Sequence, residues 1–333
     1  MIVLNKHHGQ LCSRLWTYVP YITLCLQNNQ KLLILHFDEY YDQFENLRVL
    51  PGIRIGEPFI IKKNHYWKWL FLHIAKPLPQ RLLHFFNIYS NKEFWEQEHW
   101  HEVLASRSKA NIIFIRNKEY VKHDAAVTEF QEQIRHLFRP KQVYVEKVTQ
   151  LMAEQRGKFD VVVGVHIRRS DYRKFRRGAY YFDDATYCTY MADLEQELQT
   201  AGKSVVFLLC SDEPLQLAHF SKFNTFQINH KSDIEDLYAL SLADYMMGAP
   251  STFSMWASFY GKVPLRMLQL KDEKIQLSQF SAIVSQNEFE NGIRFEQKEK
   301  SHFYSWQGGS EPVERLNDLI SELDKPDQVQ VNS

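Results

Sequence analysis

The chain of 333 residues lacks most of the short motifs by which ligand-using enzymes announce themselves. There is no G-x-G-x-x-G, no G-x-x-x-x-G-K-[ST] and no G-x-S-x-G, which argues against a dinucleotide oxidoreductase, a P-loop kinase and an α/β-hydrolase. No D-x-D occurs either, so the paired carboxylates that commonly hold a divalent metal against a diphosphate are missing. Cys12, Cys25, Cys188 and Cys210 include no C-x-x-C pair; they signal neither zinc nor redox chemistry and read as buried thiols in a reducing compartment. The pairs His7/His8 and His99/His101 read as surface or capping histidines, so no metal is expected. No run of 18 apolar residues exists, and Met1 to His8 lacks a basic segment leading into an apolar one. A soluble, cytoplasmic protein is the expectation. Charge of one sign is also lacking: Lys+Arg 40 balances Asp+Glu 40. Nucleic acid is therefore not an expected partner, and any recognition of an anion must be local.

What is present is core-forming material, 44% hydrophobic and 14% aromatic, and one segment where charge is concentrated. Val161-Val-Val-Gly-Val-His-Ile-Arg-Arg-Ser-Asp-Tyr172 begins as a β-branched run suited to a buried parallel strand. It ends on His166, Arg168, Arg169 and Asp171. Charges at the carboxyl end of such a strand point at the crevice where open α/β sheets bind ligands. Two adjacent guanidiniums there call for a polyanion, and a diphosphate matches the guanidinium fork. The plainer reading is an Arg pair bridging surface carboxylates. Beyond it, Arg168 to Arg177 holds six cations in ten residues, a flexible phosphate clamp or a solvated loop.

The remaining pattern is strand–helix alternation. Met1–Leu4, Lys31–Phe37 and Asn111–Arg116 read as strands, Leu11 to Gln27 as a helix that Pro20 should kink or break, and Val127–Phe138 and Val143–Gln155 as helices. After Lys158 the alternation is regular: strands at Val161–His166, Ser204–Cys210, Thr225–Asn229, Tyr245–Met247 and Leu265–Leu270, with helices at Ala185–Gln199, Ile234–Leu242 and Met255–Tyr260. This is a doubly wound parallel sheet. From about Lys274 the pattern is irregular, with one helix near Val313–Leu323. Three regions follow: 1–155, 156–290 and an extension at 291–333. Residues 62–100 are aromatic and basic. A packed helical lobe is the bland reading, and a patch at 62–86 that touches a membrane surface is the sharper one.

Other hydroxyls and carboxylates fall at strand ends. Ser251-Thr-Phe-Ser254 either caps a helix or holds an anion on the helix's free N–H groups. Ser211-Asp212-Glu213-Pro214 either caps a short helix or accepts from ribose hydroxyls. Asp236 sits in a first helical turn, as an ordinary dipole partner or aimed at a guanine edge.

Gly164-Val-His-Ile-Arg-Arg-Ser-Asp171 resembles the H-x-R-R-x-D motif of the fucosyltransferase superfamily, and within it the bacterial α-1,2 enzymes of glycosyltransferase family 11. Phe207 to Pro214 resembles the strand and S-D-D element of that family, Asp236 to Trp256 its N-S-S-F-S-W-W block, and Gly9 to Leu15 its glycine loop. The resemblance covers about residues 1–40 and 160–270. It implies a GT-B-like fold, two Rossmann-like domains with a nucleotide-sugar cleft, and an inverting, metal-independent transfer of fucose from GDP-fucose to a glycan or glycolipid acceptor in surface-polysaccharide synthesis. By the same resemblance, Arg168 is catalytic; Asp171, adjacent in sequence, is the catalytic candidate for a base that takes the acceptor proton. Gly9, Gln10, Arg14, His166, Arg169, Ser211, Asp212, Asp236, Ser251, Thr252, Phe253 and Ser254 bind the donor, with no cofactor. The sequence departs from the family at His8-Gly-Gln-Leu11 and at Ala249 to Trp256, which puts linkage and acceptor more in question than donor. Two other readings remain open: the same fold with another donor sugar, and a non-catalytic nucleotide- or polyanion-binding protein.

Overall fold

The computed structural model describes residues 1–5, 9–56, 88–90, 112–115, 124–228, 232–271, 273–286, 288–292, 294–297 and 304–307. The segment 62–86 and the helix expected near Val313 lie outside the described residues. The chain divides into two compact units, Met1–Glu146 and Lys147–Ser333.

The first unit is a parallel sheet of β1 (Ile2–Leu4), β2 (Leu32–Ile34), β3 (Ile53–Ile55), β4 (Ile88–Ser90) and β5 (Ile112–Ile115), in the order β3-β2-β1-β5-β4. Helix α1 (Leu11–Gln27) buries thirteen of its seventeen residues, Trp16, Tyr18 and Tyr21 among them. A helix apolar on all sides belongs in a core, and that burial explains why α1 runs through Pro20 unbroken, contrary to the expectation of a break. Proline costs the helix one hydrogen bond and some strain, and side chains buried on every face offset it. Thr23 Oγ1 donates to the Pro20 carbonyl at 3.0 Å. The helix expected at Val127–Phe138 is two short ones, α2 (Asp124–Glu129) and α3 (Gln131–Leu137). Phe37, Phe44 and Phe138 close this core as a mutually packed trio, with ring centroids 5.6–6.2 Å apart.

The boundary between the units falls within α4 (Gln142–Arg156). The second unit carries β6 (Val161–Ile167), α5 (Asp184–Thr200), β7 (Val205–Ser211), β8 (Thr225–Phe226), α6 (Asp233–Leu240), β9 (Tyr245–Gly248), α7 (Thr252–Gly261) and β10 (Leu265–Met267). All pairings are parallel, in the order β10-β9-β6-β7-β8. The chain starts at the central strand, builds outward through β7 and β8, then crosses to β9 and β10. The crevice of such a sheet opens at the carboxyl ends of the two strands where the order reverses, here β6 and β9. Every residue of β6 and β7 is buried, as expected for strands covered on both faces.

The region read as irregular after Lys274 holds instead an antiparallel sheet, β11 (Ile283–Ser285), β12 (Glu288–Phe289), β13 (Arg294–Gln297) and β14 (Tyr304–Gln307). Strands of two to four residues are too short to show a period of two in sequence.

Two glycines set how closely elements approach β6. Gly248 pairs with His166 across β9 and β6, and a Cβ there would lie 2.7 Å from the His166 carbonyl oxygen. A Cβ on Gly164 would crowd the end of the Leu240 side chain, also at 2.7 Å, and touch Ala243 and Met246 at ordinary distances. Backbone cannot yield as a leucine tip can. Gly248→Ala is expected to cost about 3 kcal/mol and Gly164→Ala about 1 kcal/mol, and urea denaturation of the two variants measures the order. Equal costs would show that the β6–β9 edge is softer than this packing implies.

Candidate functional site

The carboxyl edge of β6 and β9 carries His166, the loop from Arg168 and the start of α7. His166 is buried, with Nδ1 2.7 Å from Ser254 Oγ, and its ring stacks on Phe253 at 5.0 Å. Burial first, and then the Arg168 charge, push its pKa down to about 4, with Asp212 working the other way. The imidazole is therefore neutral near pH 7 and joins the end of β6 to the first turn of α7. Tyr187, beneath the sheet, donates to the His166 carbonyl at 3.3 Å.

Arg168 follows at the mouth of the crevice. Its guanidinium bonds Asp171 Oδ1 at 2.8 Å and Asp212 Oδ2 at 3.1 Å, and its side chain is 18% exposed. Asp212 does more than pair with it. Oδ1 accepts from the Arg169 backbone N–H at 2.8 Å, and Oδ2 from the Ser170 N–H at 3.1 Å and from the Ser170 hydroxyl. Burial opposes the charge on this carboxylate, but these hydrogen bonds and Arg168 together hold its pKa below the ordinary aspartate value. Asp212 thus pins the Arg168 loop to the end of β7. It caps no helix: the next helical turn is a short 3₁₀ segment at Leu217–Phe220. Its neighbour Ser211, buried, accepts from the Glu213 N–H at 3.2 Å.

Tyr172 supplies a second tie that the sequence reading did not single out. Its hydroxyl donates to the Pro250 carbonyl, and its ring lies 5.8 Å from the Arg168 guanidinium. The Arg168 loop and the loop before Ser251 are therefore fastened to each other. Ser251 caps α7, its side chain accepting from the Phe253 N–H at 3.2 Å. Ser251, Thr252 and Phe253 are half-buried at this edge, beside helix N–H groups suited to an anion.

Some residues proposed from sequence as donor ligands are committed elsewhere. Arg169 turns into the fold: Nε donates to the Phe182 carbonyl at 3.0 Å, its guanidinium pairs with Asp184, and its side chain is 8% exposed. The Arg pair is thus split, because successive residues at a strand end leave on opposite faces. Ser254 is wholly buried against His166. The loop after Arg168, read as a flexible clamp, is tied down by Asp212, by Tyr172 and by Arg173, which bonds Glu213 at 2.9 Å. Asp171 lies exposed beside Arg168, its side chain 59% exposed. Asp236 is half-buried in the first turn of α6.

In the first unit, Gly9 has the left-handed φ of +56° and precedes Gln10, the residue before α1. Arg14 is buried and holds this turn: Nε donates to the Gly9 carbonyl at 3.2 Å, and Nη2 pairs with Glu39 at 2.8 Å. Its guanidinium shapes the glycine turn through these bonds.

Among the described residues, no group of three or more His, Cys, Asp or Glu is placed to hold a metal ion, and no helix is long and apolar enough to cross a membrane. No family model matches the chain, and no curated protein matches it in sequence. Solved structures match it in fold. FUT1 of Arabidopsis thaliana, a point mutant solved in complex with GDP, aligns over 86% of this chain and 75% of its own, at 12% identity and a TM-score of 0.53. NodZ, a fucosyltransferase of Bradyrhizobium, covers 80% and 94%, at 15% identity and 0.51. POFUT1 in complex with GDP-fucose covers 81% and 96%, at 9% identity and 0.51. The likeness establishes a GT-B-like α/β fold.

Two outcomes follow from this geometry. An unfolded histidine titrates near 6.5 and folded His166 near 4, so the unfolded chain takes up the proton first as pH falls. The stability that goes with neutral His166 is complete above about pH 6.5 and is lost progressively towards pH 4, by on the order of 3 kcal/mol. Urea midpoints should fall less over that range in His166→Gln than in the parent, and equal pH slopes would remove His166 as the source. Asp212→Ala removes the acceptor of two backbone N–H groups and one of the two carboxylates on Arg168, at an expected cost of about 3 kcal/mol. Asp212→Asn keeps one acceptor and should cost about half as much by the same assay.

Proposed function

We propose that this protein is an inverting glycosyltransferase that moves fucose from GDP-fucose to a hydroxyl of a glycan acceptor. The observation that carries the reading is the placement of Arg168. It is a cation held by two carboxylates at the mouth of a switch-point crevice, on a loop fastened through Tyr172 to the helix start at Ser251. A diphosphate needs that combination of a positioned guanidinium and helix N-terminal N–H groups. The fold agrees, since structures of the same architecture were solved with GDP or GDP-fucose bound.

In the proposed reaction, the bond between fucose C1 and the β-phosphate oxygen breaks, and its electron pair leaves with GDP. Arg168 and the N–H groups at Ser251 and Thr252 take up the charge that grows on the diphosphate, which cations and backbone dipoles do without a metal. The acceptor oxygen bonds C1 from the opposite face through an oxocarbenium-like transition state and gives its proton to a carboxylate, for which Asp171 is the proposed base. Asp236 is proposed to face the guanine. The α-1,2 linkage and the role in surface-polysaccharide synthesis at the cytoplasmic side of a membrane rest on the resemblance of Gly164 to Asp171 and Asp236 to Pro250 to the bacterial α-1,2 enzymes, from whose final block Ala249 to Trp256 departs. NodZ, by contrast, is an α-1,6-fucosyltransferase, so the linkage is read from the product.

GDP release from GDP-fucose, in EDTA and with a panel of galactose- and glucosamine-terminated acceptors, tests the proposal. Acceptor-dependent release is expected, and Arg168→Ala should lower kcat by about 10²–10³-fold. Near-parental turnover in that variant would defeat the assignment. Stabilisation by heparin or RNA and not by GDP would favour a polyanion-binding protein instead.

A further inference from the structure

The carboxylate that receives Arg169 has a second partner, and that partner lies at the surface. Arg169 Nη2 donates to Asp184 Oδ1 and His219 Nδ1 bonds Asp184 Oδ2, each at 2.5 Å. Asp184 opens α5, and His219 stands on the 3₁₀ turn Leu217–Phe220 that follows β7. Arg169 in turn gives its backbone N–H to Asp212, which pairs with Arg168. Bonded groups of alternating charge therefore run from Arg168 through Asp212, Arg169 and Asp184 to His219. The side chains of the first four are 8–18% exposed, and that of His219 is 50% exposed.

Histidine is the side-chain type that exchanges a proton between about pH 5 and 8, and guanidiniums stay charged throughout. Burial opposes the charge on Asp184, but the bonds from His219 and Arg169 hold its pKa below the ordinary aspartate value, and Asp212 is held low in the same way. His166, near 4, is neutral in this range. Cys188 on α5 donates its thiol to the His219 carbonyl at 3.4 Å, and burial pushes its pKa up, with Lys222 and Asp184 acting on it in opposite directions. Lys222, beyond the turn, also acts on Glu195 of α5, whose pKa burial raises. Neutral His219 gives Asp184 one N–H. Protonated, it gives a charge-assisted bond and leaves the line of groups with a net positive charge. Arg169 and His219 use different oxygens of Asp184, so the second bond strengthens without displacing the first. A carboxylate held by two cations fixes Arg169 more firmly, and Arg169 fixes the Arg168 loop. The added charge and the firmer loop both favour a diphosphate at Arg168.

We propose that Asp184 and His219 are positioning residues for Arg168, and that a proton taken up by His219 at the surface tightens binding of the diphosphate donor in the crevice. This rests on the donor reading above and deepens it by naming two residues, outside the motif, that tune the same site.

The experiment measures GDP-fucose affinity by calorimetry, without acceptor, from about pH 5.5 to 8. This diphosphate is esterified at both ends and so lacks the ionisation near pH 6 of a terminal phosphate; the pH dependence is that of the protein. The parent should bind about threefold or more tightly at the acid end. His219→Gln, neutral at every pH, should flatten the profile at the weak level, and His219→Lys, a cation at every pH, should flatten it at the tight level. A group such as Glu195 would titrate in all three proteins alike. Asp184→Asn should flatten the profile and weaken binding. Hydrogen exchange of the Arg169 and Ser170 amides, corrected for its intrinsic pH dependence, is followed in the same proteins without ligand. These amides should be better protected at the acid end in the parent and show no such gain in His219→Gln. A flat parental profile, or the parental slope retained in His219→Gln, overturns the proposal. If GDP-fucose does not bind the parent at all, the donor reading fails. The amide protection then decides the positioning by itself: a gain that is lost in His219→Gln upholds it, and equal protection in the two proteins overturns it.

Discussion

Asp212 is the constraint on which the carboxyl edge of the second sheet depends. One carboxylate ends β7, receives two consecutive backbone N–H groups from the loop after β6, and pairs with the guanidinium that loop delivers. A charge with its side chain only 15% exposed is tolerable when each lone pair is used, and here the bonds that satisfy it are the ones that fix the loop. Arg168 consequently stands at the crevice with its position set before any ligand arrives, so little is lost in ordering it on binding. The same carboxylate, by bonding Arg168, Arg169 and Ser170, limits the loop's freedom to close.

The second tie, from Tyr172 to Pro250, and the His166–Ser254 pair complete a triangle of β6, β7 and β9 ends. Each tie uses a different chemistry: a charge-assisted hydrogen bond, a phenol on a backbone carbonyl, and a neutral imidazole on a hydroxyl. Neutrality matters for the last. A protonated His166 would place a charge in the core beneath Arg168, and burial together with that neighbour suppresses it. His166 therefore adds no charge beneath the crevice near pH 7, and Arg169 there is balanced by Asp184, so Arg168 is the cation presented at the mouth.

How much of this was legible in the sequence varies with the physics of each element. Val161–Ile167 was legible because a strand buried on both faces must be apolar throughout, and the change to charge at Arg168 marked its end. The limits of α1 were legible to the residue, while the effect of Pro20 was not, since a local rule for proline says nothing of the burial that outweighs it. The antiparallel strands after Ile283 were invisible for want of length. At the site, sequence located Arg168, Asp212 and Ser251 at strand ends but could not assign direction. Arg169 is as charged as Arg168 and one residue away, yet it serves the interior, bonding Asp184 fifteen residues on. Tyr172 was passed over because a tyrosine in a basic loop carries no pattern, and its role depends on Pro250, 78 residues distant in the chain.

The departure of Arg169 also changes what the paired arginines mean. A motif with two adjacent guanidiniums invites the inference that both hold the anion. In this fold the second one holds the first. Arg169 anchors the backbone to the Phe182 carbonyl and to Asp184 at the start of α5, while its own N–H reaches Asp212. The loop is thereby clamped from below by a cation and from the side by an anion, and a single guanidinium is left to face outward. If the proposed transfer reading holds, replacing either arginine impairs transfer through different steps. On that reading, loss of Arg168 would leave the departing diphosphate poorly stabilised, whereas loss of Arg169 would cost the crevice its shape, so that donor affinity and stability fall together. The motif is then one arginine at the crevice and another that supports it, written next to each other because a strand end sends consecutive side chains to opposite sides.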